Sequence, residues 1–411
     1  MNPVQTPNVM TLKGLRAPRV AMNGEAATRK PISLVCLINA LGTGGAESML
    51  YRLLANLDRA QFRVRVISLI DIMEPFGPKI RALGIPVDTL GMRRGIPNPF
   101  YAWRLARWLR EDPPDVMQTW QYHSDLIGGL ASRMVGRIPL VWGIRHSDHR
   151  PGVSKRLTLL TMNLCAKLSH WLPDRIICCS EASRRLHLEV GYAPEKMVVI
   201  PNGYDLEAYR PDPAARGGVF KELDIPEGAC VIGMAGRFDP QKDYRNFIQA
   251  AAALHRSRPD AYYVLCGPDV TWGNGQLKTC IAEAGLQDRF RLLGRRSDIP
   301  RLFAALDIAA LSSSYGEGFP NVVGEAMSCG VPCAVTDVGD AALIVGETGR
   351  VVPPRNPAAL AEAWRQLMDL GPEGRARLGI AARQRITDHY DLPQIVHRFQ
   401  SLFLELARPT A

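Results

Sequence analysis

Residues 312–326, SSSYGEGFPNVVGEA, combine a loop rich in serine and glycine with the start of an apolar helical pattern. The apolar run at residues 308–311 just before them predicts a buried strand, and the pattern predicts a helix from about Asn321. Glu317 falls in the loop and Glu325 about one turn into the helix, so both carboxylates are expected to face one cleft. Backbone amides at the start of such a helix favour a bound anion.

Strand and helix patterns alternate on both sides of this segment. One series runs from residue 32 to residue 200 and a second from residue 231 to residue 336, with two terminal helical patterns after it. Alternation of this kind predicts an α/β fold with parallel sheets covered by helices on both faces. We therefore expect two doubly wound, Rossmann-like domains that face each other across a cleft.

The predicted boundary between the domains is the sequence Pro201-Asn202-Gly203, with further prolines and glycines at residues 211–218 as an interdomain linker. We expect a flexible N-terminal tail at residues 1–30, a first domain at 31–203 and a second domain at 204–390. Residues 391–411 are expected to form a C-terminal helix that could pack back on the first domain.

A glycine turn, residues 42–47 with the sequence GTGGAE, follows the first predicted strand and opens a helix. Glycines there allow backbone amides to approach a phosphate, although a simple tight turn explains the pattern equally well. Glu47 stands where a dinucleotide fingerprint needs its third glycine, which argues against a nicotinamide-dependent oxidoreductase.

Two cations lie on the loop after the first strand of the second domain. Arg237 and Lys242 are five residues apart in the sequence AGRFDPQKD, residues 235–243. A guanidinium fork and an ammonium group at the carboxyl end of a strand suit a diphosphate. A surface loop with scattered charges is the alternative, and the placement favours the binding role.

Composition excludes several classes of protein. The chain has 411 residues, of which 46% are hydrophobic and 22% charged, which excludes wholesale disorder, collagen and coiled coil. No apolar run is long enough to span a bilayer. The nine cysteines form no Cys-x-x-Cys pattern and are expected to be buried thiols. The sequence has no Asp-x-Asp motif, so no metal site is predicted.

The net charge of +10 lies in the first half of the chain. Residues 1–205 carry 27 Lys and Arg against 16 Asp and Glu, whereas the remainder is nearly neutral. An anionic membrane surface or a phosphorylated acceptor suits this excess, and nucleic acid is not expected because no binding motif is present. Residues 99–111, PFYAWRLARWLRE, could lie on anionic headgroups or form an ordinary packing helix.

Glu317 and Glu325, eight residues apart, resemble the Glu-x7-Glu motif of the retaining glycosyltransferases of family four, which have the two-domain GT-B fold. The glycine turn, Pro201-Asn202-Gly203, the Arg237 loop and residues 330–339 resemble that family in the right order. The resemblance covers about residues 33–400. One departure follows Asp337-Val338-Gly339, where members often carry a second glycine and a glutamate and this chain continues with Asp340-Ala341-Ala342-Leu343.

The resemblance implies a nucleotide-sugar donor held mainly by the second domain and an acceptor held by the first. It implies that Arg237 and Lys242 neutralise the diphosphate, that Glu317 contacts the transferred sugar and that Glu325 binds the ribose. His123 would lie near the sugar and act with the catalytic set. The implied donor contacts are completed by Gly44, Gly45, Ser297, Ile299, Phe319, Pro320 and Asn321. Arg145 and His146 follow the next strand and could bind acceptor or donor phosphate, or form a charged loop network.

The function implied is transfer, with retention, of a sugar from a nucleotide sugar, with a UDP-sugar favoured. The acceptor implied is a lipid-linked glycan of a surface polysaccharide. No cofactor or metal is expected beyond the nucleotide sugar as co-substrate. We expect a cytoplasmic protein that could be peripheral at the inner face of the plasma membrane. A nucleotide-sugar epimerase of the same shape and a non-catalytic binding protein are the alternatives.

Overall fold

The N-terminal domain is a sheet of seven parallel strands with helices on both faces. The computed structural model describes residues 30–93, 98–145 and 156–407. The sheet has the order β3-β2-β1-β4-β5-β6-β7. Its elements are β1 (Ile32–Ile38), α1 (Gly45–Asn56), β2 (Phe62–Ser68), α2 (Phe76–Ala82), β3 (Val87–Thr89), α3 (Pro99–Glu111), β4 (Val116–Trp120), α4 (Tyr122–Met134), β5 (Leu140–Ile144), α5 (Arg156–Leu168), β6 (Arg175–Cys178), α6 (Glu181–Val190) and β7 (Met197–Val199).

The C-terminal domain repeats this plan with six parallel strands in the order β10-β9-β8-β11-β12-β13. Its elements are α7 (Pro213–Glu222), β8 (Cys230–Ala235), α8 (Tyr244–His255), β9 (Ala261–Cys266), α9 (Gly275–Glu283), β10 (Phe290–Leu292), α10 (Ile299–Ala304), β11 (Ile308–Leu311), α11 (Asn321–Ser328), β12 (Cys333–Thr336), α12 (Ala341–Val345), β13 (Arg350–Val352), α13 (Pro357–Asp369) and α14 (Gly371–Tyr390). The final helix is α15 (Leu392–Ala407). The predicted pair of doubly wound α/β sheets is confirmed.

Strand β1 shows why the central strands are apolar throughout. Leu34, Cys36 and Ile38 face the core layer under α1, whereas Val35 and Leu37 face the opposite layer under α3 and α4. Side chains alternate between the faces of a strand, and a sheet covered on both faces buries both sets.

The chain crosses between the domains at residues 201–204 and returns near residue 391. Tyr204 donates its amide hydrogen to the Tyr390 carbonyl at 2.9 Å and accepts from the Leu392 amide at 3.0 Å. A Cβ atom on Gly203 would lie 2.8 Å from the Cα of Leu392, so the two crossings meet at a position that needs glycine. Beyond them, α15 packs into the apolar layer of the N-terminal domain through Phe399 and Phe403.

The sequence prediction of a linker at residues 211–218 was wrong. Helix α7 begins there, with Pro213 in its first turn and the Asp212 side chain accepting from the Ala214 amide at 3.0 Å. Val219 and Phe220 are buried in the C-terminal core, which offsets the glycines inside the helix. Four other elements were not predicted, namely α6, α12, β13 and α14. The predicted N-terminal tail, apart from Lys30, lies outside the described residues.

The order of strands reverses at two places, between β1 and β4 and between β8 and β11. Open α/β sheets bind their ligands beyond the carboxyl ends of the strands at such reversals. The loops after these four strands carry the glycine turn, His123, the Arg237 loop and Glu317. Three other predicted segments follow other strands, namely Arg145 after β5, Ser297 with Ile299 after β10, and residues 337–340 after β12.

Two further features of the described residues concern membranes and thiols. None of their helices is both long and apolar enough to cross a bilayer. All nine cysteines are free thiols, and eight of them are buried. Burial raises the pKa of thiols such as Cys36, to about 12, which keeps them unreactive.

Candidate active site

Glu317 and Lys242 form a buried ion pair at the strand reversal of the C-terminal domain. The Nζ atom of Lys242 donates to Oε1 of Glu317 at 2.6 Å, and the hydroxyl of Ser313 donates to the same oxygen at 2.7 Å. The Lys242 and Glu317 side chains are 15% and 9% exposed. Lys242 reaches the carboxylate across Gly236, where a Cβ atom would lie 3.3 Å from its Cε atom. Two loops that are distant in sequence therefore meet in a site with little solvent exposure, where charges interact strongly.

Arg237 lies on the same loop as Lys242 but is directed differently. Its Nε atom donates to Asp239 at 3.1 Å, and its side chain is 58% exposed. Asp239 also caps the short 3₁₀ turn that places Lys242, through the Gln241 amide at 2.9 Å. The structure thus brings Lys242 to Glu317 and leaves Arg237 at the surface.

Glu325 bridges the two domains instead of facing open solvent. Its Oε1 atom accepts from Nη2 of Arg52, on α1, at 2.6 Å. Arg52 also donates from Nη1 to the carbonyl of Gly203 at 3.3 Å. Arg52 was not predicted as a site residue, because a helical arginine two turns after a glycine turn has no local signal that separates it from a solvated residue.

The N-terminus of α11 meets the glycine turn of the other domain. A Cβ atom on Gly45 would lie 3.4 Å from Nδ2 of Asn321, so the two helix starts are in contact. A Cβ atom on Gly44 would lie 2.2 Å from the Glu47 carboxylate, which folds back over the turn. Glycine is needed at Gly44 for this close approach, since its φ of −170° is ordinary extended backbone.

Phe319 and Pro320 shape the loop before α11 in different ways. The Phe319 ring stacks on Tyr204 with a centroid separation of 6.1 Å and meets Tyr390 edge-on at 5.4 Å. Phe319 is therefore a core side chain, and only its backbone faces the site. Pro320 directly precedes the helix in an extended conformation and so leaves the first amides of α11 to point outward.

Arg145, at the carboxyl end of β5, is a half-buried residue whose guanidinium Nε and Nη2 atoms are buried. Its Nη1 atom donates to the side chain of Asn202 at 3.1 Å, and Asn202 donates in turn to Asn321 across the domain interface at 2.8 Å. The guanidinium lies 4.0 Å from the centre of the Trp120 ring. Burial lowers the pKa of Arg145 to about 10. Among the described residues its Nε and Nη2 atoms have no hydrogen-bond partner. His146, the other predicted acceptor residue, lies outside the described residues.

His123 and Gln121 stand at the carboxyl end of β4. His123 is half-buried in the first turn of α4, and burial lowers its pKa, which favours the neutral imidazole at pH 7. Gln121, which the sequence analysis missed, has a φ of +76°, and its side chain hydrogen-bonds Glu47. A positive φ at a residue other than glycine costs about 1–3 kcal/mol and is common at functional sites.

Ser297 and Ile299 lie at the start of α10, at the edge of the C-terminal sheet, where Ser297 is exposed and Ile299 half-buried. Asp298, between them, pairs with Arg296 at 2.7 Å, and this hydrogen bond lowers its pKa to about 2. An ion pair therefore holds the loop that carries Ser297 and Ile299, two of the donor contacts implied by the resemblance.

Asp340, at the departure from the family pattern, links the domains a second time. Its carboxylate accepts the amide hydrogens of Glu181 at 2.8 Å and Ala182 at 2.9 Å, at the start of α6. Its own amide donates to the carbonyl of Gly318 at 3.0 Å. Gly339 has a φ of +59°, and a Cβ atom there would lie 2.1 Å from the Glu317 carbonyl oxygen. The Asp340 turn therefore packs directly beneath the loop that carries Glu317.

Within the described ranges, no three His, Cys, Asp or Glu side chains are grouped so that they could hold a metal ion. The charges brought together are those of Lys242 with Glu317 and of Arg52 with Glu325. This arrangement provides cations, helix amides and two buried carboxylates where the two domains meet, which suits a phosphate ester bound beside polar, uncharged groups.

Known proteins resemble this chain over both domains. The family model described as Glycosyltransferase Family 4 matches residues 43–208, and the one described as Glycosyl transferases group 1 matches residues 218–385. The UDP-Gal:alpha-D-GlcNAc-diphosphoundecaprenol alpha-1,3-galactosyltransferase of Escherichia coli is 30% identical over 59% of this chain and 63% of its own length. The lipopolysaccharide core biosynthesis mannosyltransferase LpsB of Rhizobium meliloti is 29% identical over 51% of this chain and 61% of its own length.

The chain thus spans less than two thirds of the length of these two curated relatives. Among solved structures, HepE of Anabaena in complex with UDP and glucose has a TM-score of 0.78 at 22% identity, over 91% of this chain and 100% of that chain. That likeness concerns the fold, and it agrees with the two sheets described above. The chain belongs to glycosyltransferase family 4 and has the GT-B fold predicted from its sequence.

Proposed function

We propose that the protein transfers a sugar, with retention of anomeric configuration, from a nucleoside diphosphate sugar to a hydroxyl group of an acceptor. The observation that carries this proposal is the Lys242–Glu317 pair, 2.6 Å apart, at the strand reversal beside the start of α11. Lys242 supplies positive charge for the leaving diphosphate, and Glu317 supplies an oxygen for a hydroxyl of the transferred sugar.

The difficult step is departure of the diphosphate from the anomeric carbon. Negative charge develops on the leaving oxygen, where Lys242 and the first amides of α11 would stabilise it, and positive charge develops on the sugar. The acceptor attacks from the face that the diphosphate leaves, and a phosphate oxygen takes the acceptor proton. This route needs no metal and no dedicated protein base. Arg237 would turn from Asp239 toward the diphosphate when donor binds.

A UDP-sugar is the favoured donor and a lipid-linked glycan the favoured acceptor. The E. coli relative is named for UDP-Gal and for a diphosphoundecaprenol acceptor, and the R. meliloti relative for the lipopolysaccharide core. The N-terminal domain would hold the acceptor near His123 and Arg145. A lipid-linked acceptor also explains why the excess of positive charge lies in residues 1–205.

We propose that the protein works in the cytoplasm at the inner face of a membrane. It would contact the membrane through a surface of its N-terminal domain. Phe100 and Trp103 on α3 are about half exposed, and Leu157, Leu160 and Leu164 form an exposed apolar stripe on α5. Helices that follow parallel strands begin at the carboxyl edge of the sheet, so Phe100, Leu157 and Leu160, in the first turns of their helices, lie near the edge that carries the candidate site. No acidic residue occurs in residues 98–110 or 156–173, which suits anionic headgroups.

A nucleotide-sugar epimerase is not favoured, because both family models and the curated relatives are glycosyltransferases. The two activities differ in a direct assay. An epimerase converts the nucleotide sugar alone, whereas the proposed enzyme releases UDP and needs an acceptor for rapid turnover.

The test begins with a thermal-shift screen of UDP-, GDP- and ADP-sugars and continues with radiolabelled transfer to polyprenyl-diphosphate-linked sugars in the presence of EDTA. We expect stabilisation by one UDP-sugar, transfer that EDTA does not abolish and an α-linked product from an α-linked donor by NMR. Glu317→Gln is the matched inactive control. Absence of both donor hydrolysis and transfer with every nucleotide sugar would contradict the proposal.

A further inference from the structure

Arg52 extends from the N-terminal domain into the part of the site that belongs to the C-terminal domain. Its guanidinium spans two partners, Oε1 of Glu325 at 2.6 Å and the carbonyl oxygen of Gly203 at 3.3 Å. Helix α1, the domain crossing and helix α11 therefore converge on one side chain. The Arg52 and Glu325 side chains are 15% and 10% exposed, so little solvent screens the pair.

Two tyrosines lie beside Glu325. The Tyr209 hydroxyl hydrogen-bonds its carboxylate, and both are buried enough that the pKa of Tyr209 is raised, first by burial and then by the charge of Glu325. The Tyr204 ring lies against the neighbouring Gly324, where a Cβ atom would be 2.1 Å from the ring. A carboxylate held this way has few orientations available.

Arg52 remains a cation in this setting. Burial by itself lowers the pKa of Arg52, but the charge and hydrogen bond of Glu325 outweigh that effect and the pKa is raised. An unpaired Glu325 would repel the diphosphate of an approaching donor and would be costly to bury. The arginine removes both problems, because it cancels the charge of Glu325 while the carboxylate keeps lone pairs that can accept hydrogen bonds from neutral hydroxyls.

We propose that Arg52 is a donor-positioning residue, which holds the Glu325 carboxylate in the orientation that binds the two hydroxyls of the donor ribose and ties that carboxylate to the domain crossing at Gly203. The inference rests on the proposed function. Arg52 acts through Glu325 and touches no reacting atom, so its loss is expected to weaken donor binding and to leave the turnover of bound donor nearly unchanged.

The test is a double-mutant cycle read by calorimetry with UDP as the probe. Arg52→Ala is expected to weaken UDP binding at least tenfold, and Arg52→Lys to give an intermediate loss because an ammonium cannot reach both partners. In a Glu325→Gln background, Arg52→Ala is expected to cause no further loss. Steady-state kinetics should show a raised donor KM with kcat within about twofold of wild type.

Arg63→Ala is the matched control, since it removes an exposed pair with Asp112 from the same domain and should leave UDP binding unchanged. If Arg52→Ala is poorly folded, the neutral double variant Arg52→Met/Glu325→Gln and the variant Arg52→Lys replace it, with unfolding curves for each. Unchanged UDP affinity in both Arg52→Lys and Arg52→Ala would overturn this inference and leave the proposed function intact. The same holds if the losses from Arg52→Ala and Glu325→Gln add fully in the double variant. Failure of the wild-type protein to bind UDP would overturn the proposed donor and the inference together.

Discussion

Asp340 in the C-terminal domain caps a helix of the N-terminal domain by accepting the backbone amide hydrogen of Glu181 at 2.8 Å. The second carboxylate oxygen accepts from the next amide, that of Ala182, at 2.9 Å. The same turn donates a hydrogen bond to Gly318, next to Glu317. The position of one domain is thereby linked to the loop that carries the buried carboxylate of the other.

Members of the family often have glycine at the position of Asp340. Replacing Asp340 with glycine should weaken the contact that holds the two domains together. Loss of a helix cap costs about 1 kcal/mol, which corresponds to about a fivefold fall in the population of the closed arrangement if all of it acts on closure. We expect kcat/KM to fall by about that factor and small-angle scattering to show a larger mean radius of gyration.

Asp212→Gly is the control for Asp340→Gly, because Asp212 caps α7 within the C-terminal domain alone. This variant should lower stability by roughly a few tenths of a kcal/mol and leave the radius of gyration unchanged. Equal expansion in both variants would show that Asp340 has no special role between the domains.

Substituting the two cations assigned to the donor diphosphate, Lys242 and Arg237, is expected to lower activity to different extents. Lys242→Ala should lower kcat/KM by about 100-fold, the usual scale for a group that stabilises developing charge. Arg237→Ala should cost less than Lys242→Ala, since Arg237 must leave Asp239 to reach the donor. Lys278→Ala, an exposed lysine on α9, is the control. Near-normal kinetics for Lys242→Ala would contradict the role of Lys242 in stabilising the leaving diphosphate.

The two glutamates are expected to differ in which kinetic constant they control. Glu317→Gln should mainly lower kcat, because its partner is the reacting sugar and it also loses the charge that pairs with Lys242. Glu325→Gln should mainly raise the donor KM. Steady-state kinetics at varied donor concentration separate the two effects, with Glu283→Gln on α9 as an exposed control. A reversed pattern would exchange the two assignments.

Burial of Asp125 predicts that the protein loses stability as the pH rises from about 4 to about 8. It is fully buried, and burial raises its pKa from 3.8 to about 8 despite hydrogen bonds from Thr119 and Gly143. The native state therefore holds this proton more tightly than the unfolded state, so stability is greatest below pH 3.8 on this account and falls as pH rises through 8.

Asp125→Asn removes this titrating group. The fall in unfolding free energy between pH 5 and pH 9 should therefore be smaller in the variant than in the wild type, by on the order of a few kcal/mol. Urea unfolding at several pH values measures the difference. Asp115→Asn, at the exposed start of β4, is the control because its carboxylate lies near the surface. Parallel curves for wild type and Asp125→Asn would contradict the prediction.

Vesicle binding tests the surface formed by α3 and α5. Arg104 and Arg110 are used inside the domain, donating to the carbonyls of Leu90 and Met134, so the exposed apolar side chains are expected to matter more than these arginines. The double variant Trp103→Ser/Leu160→Ser should bind anionic vesicles several-fold more weakly in sedimentation, and binding of the wild-type protein should fall with salt.

Trp272→Ser is the matched control, because Trp272 is a partly exposed tryptophan of the other domain. Equal binding of the wild-type protein to neutral and anionic vesicles at low salt would contradict a membrane role for the N-terminal domain.

The sequence by itself determined the fold class and the loops that carry chemistry. Apolar runs such as residues 32–38 and 230–235 cannot be exposed, and their alternation with helical patterns requires parallel sheets. Glycine turns and charges at strand ends then had to lie at the same edge of a sheet. The family likewise followed from Glu317, Glu325, Lys242 and the glycine turn, whose local spacing is visible in the chain.

Only the tertiary structure decided which charges meet. The partners Arg52 and Glu325 are separated by 273 residues, and Asp340 and Glu181 by 159 residues. No local pattern encodes such pairs, because they depend on how the two domains are placed against each other. Helix α7 shows the same limit, since burial of Val219 and Phe220 stabilises a helix where prolines and glycines predicted a linker.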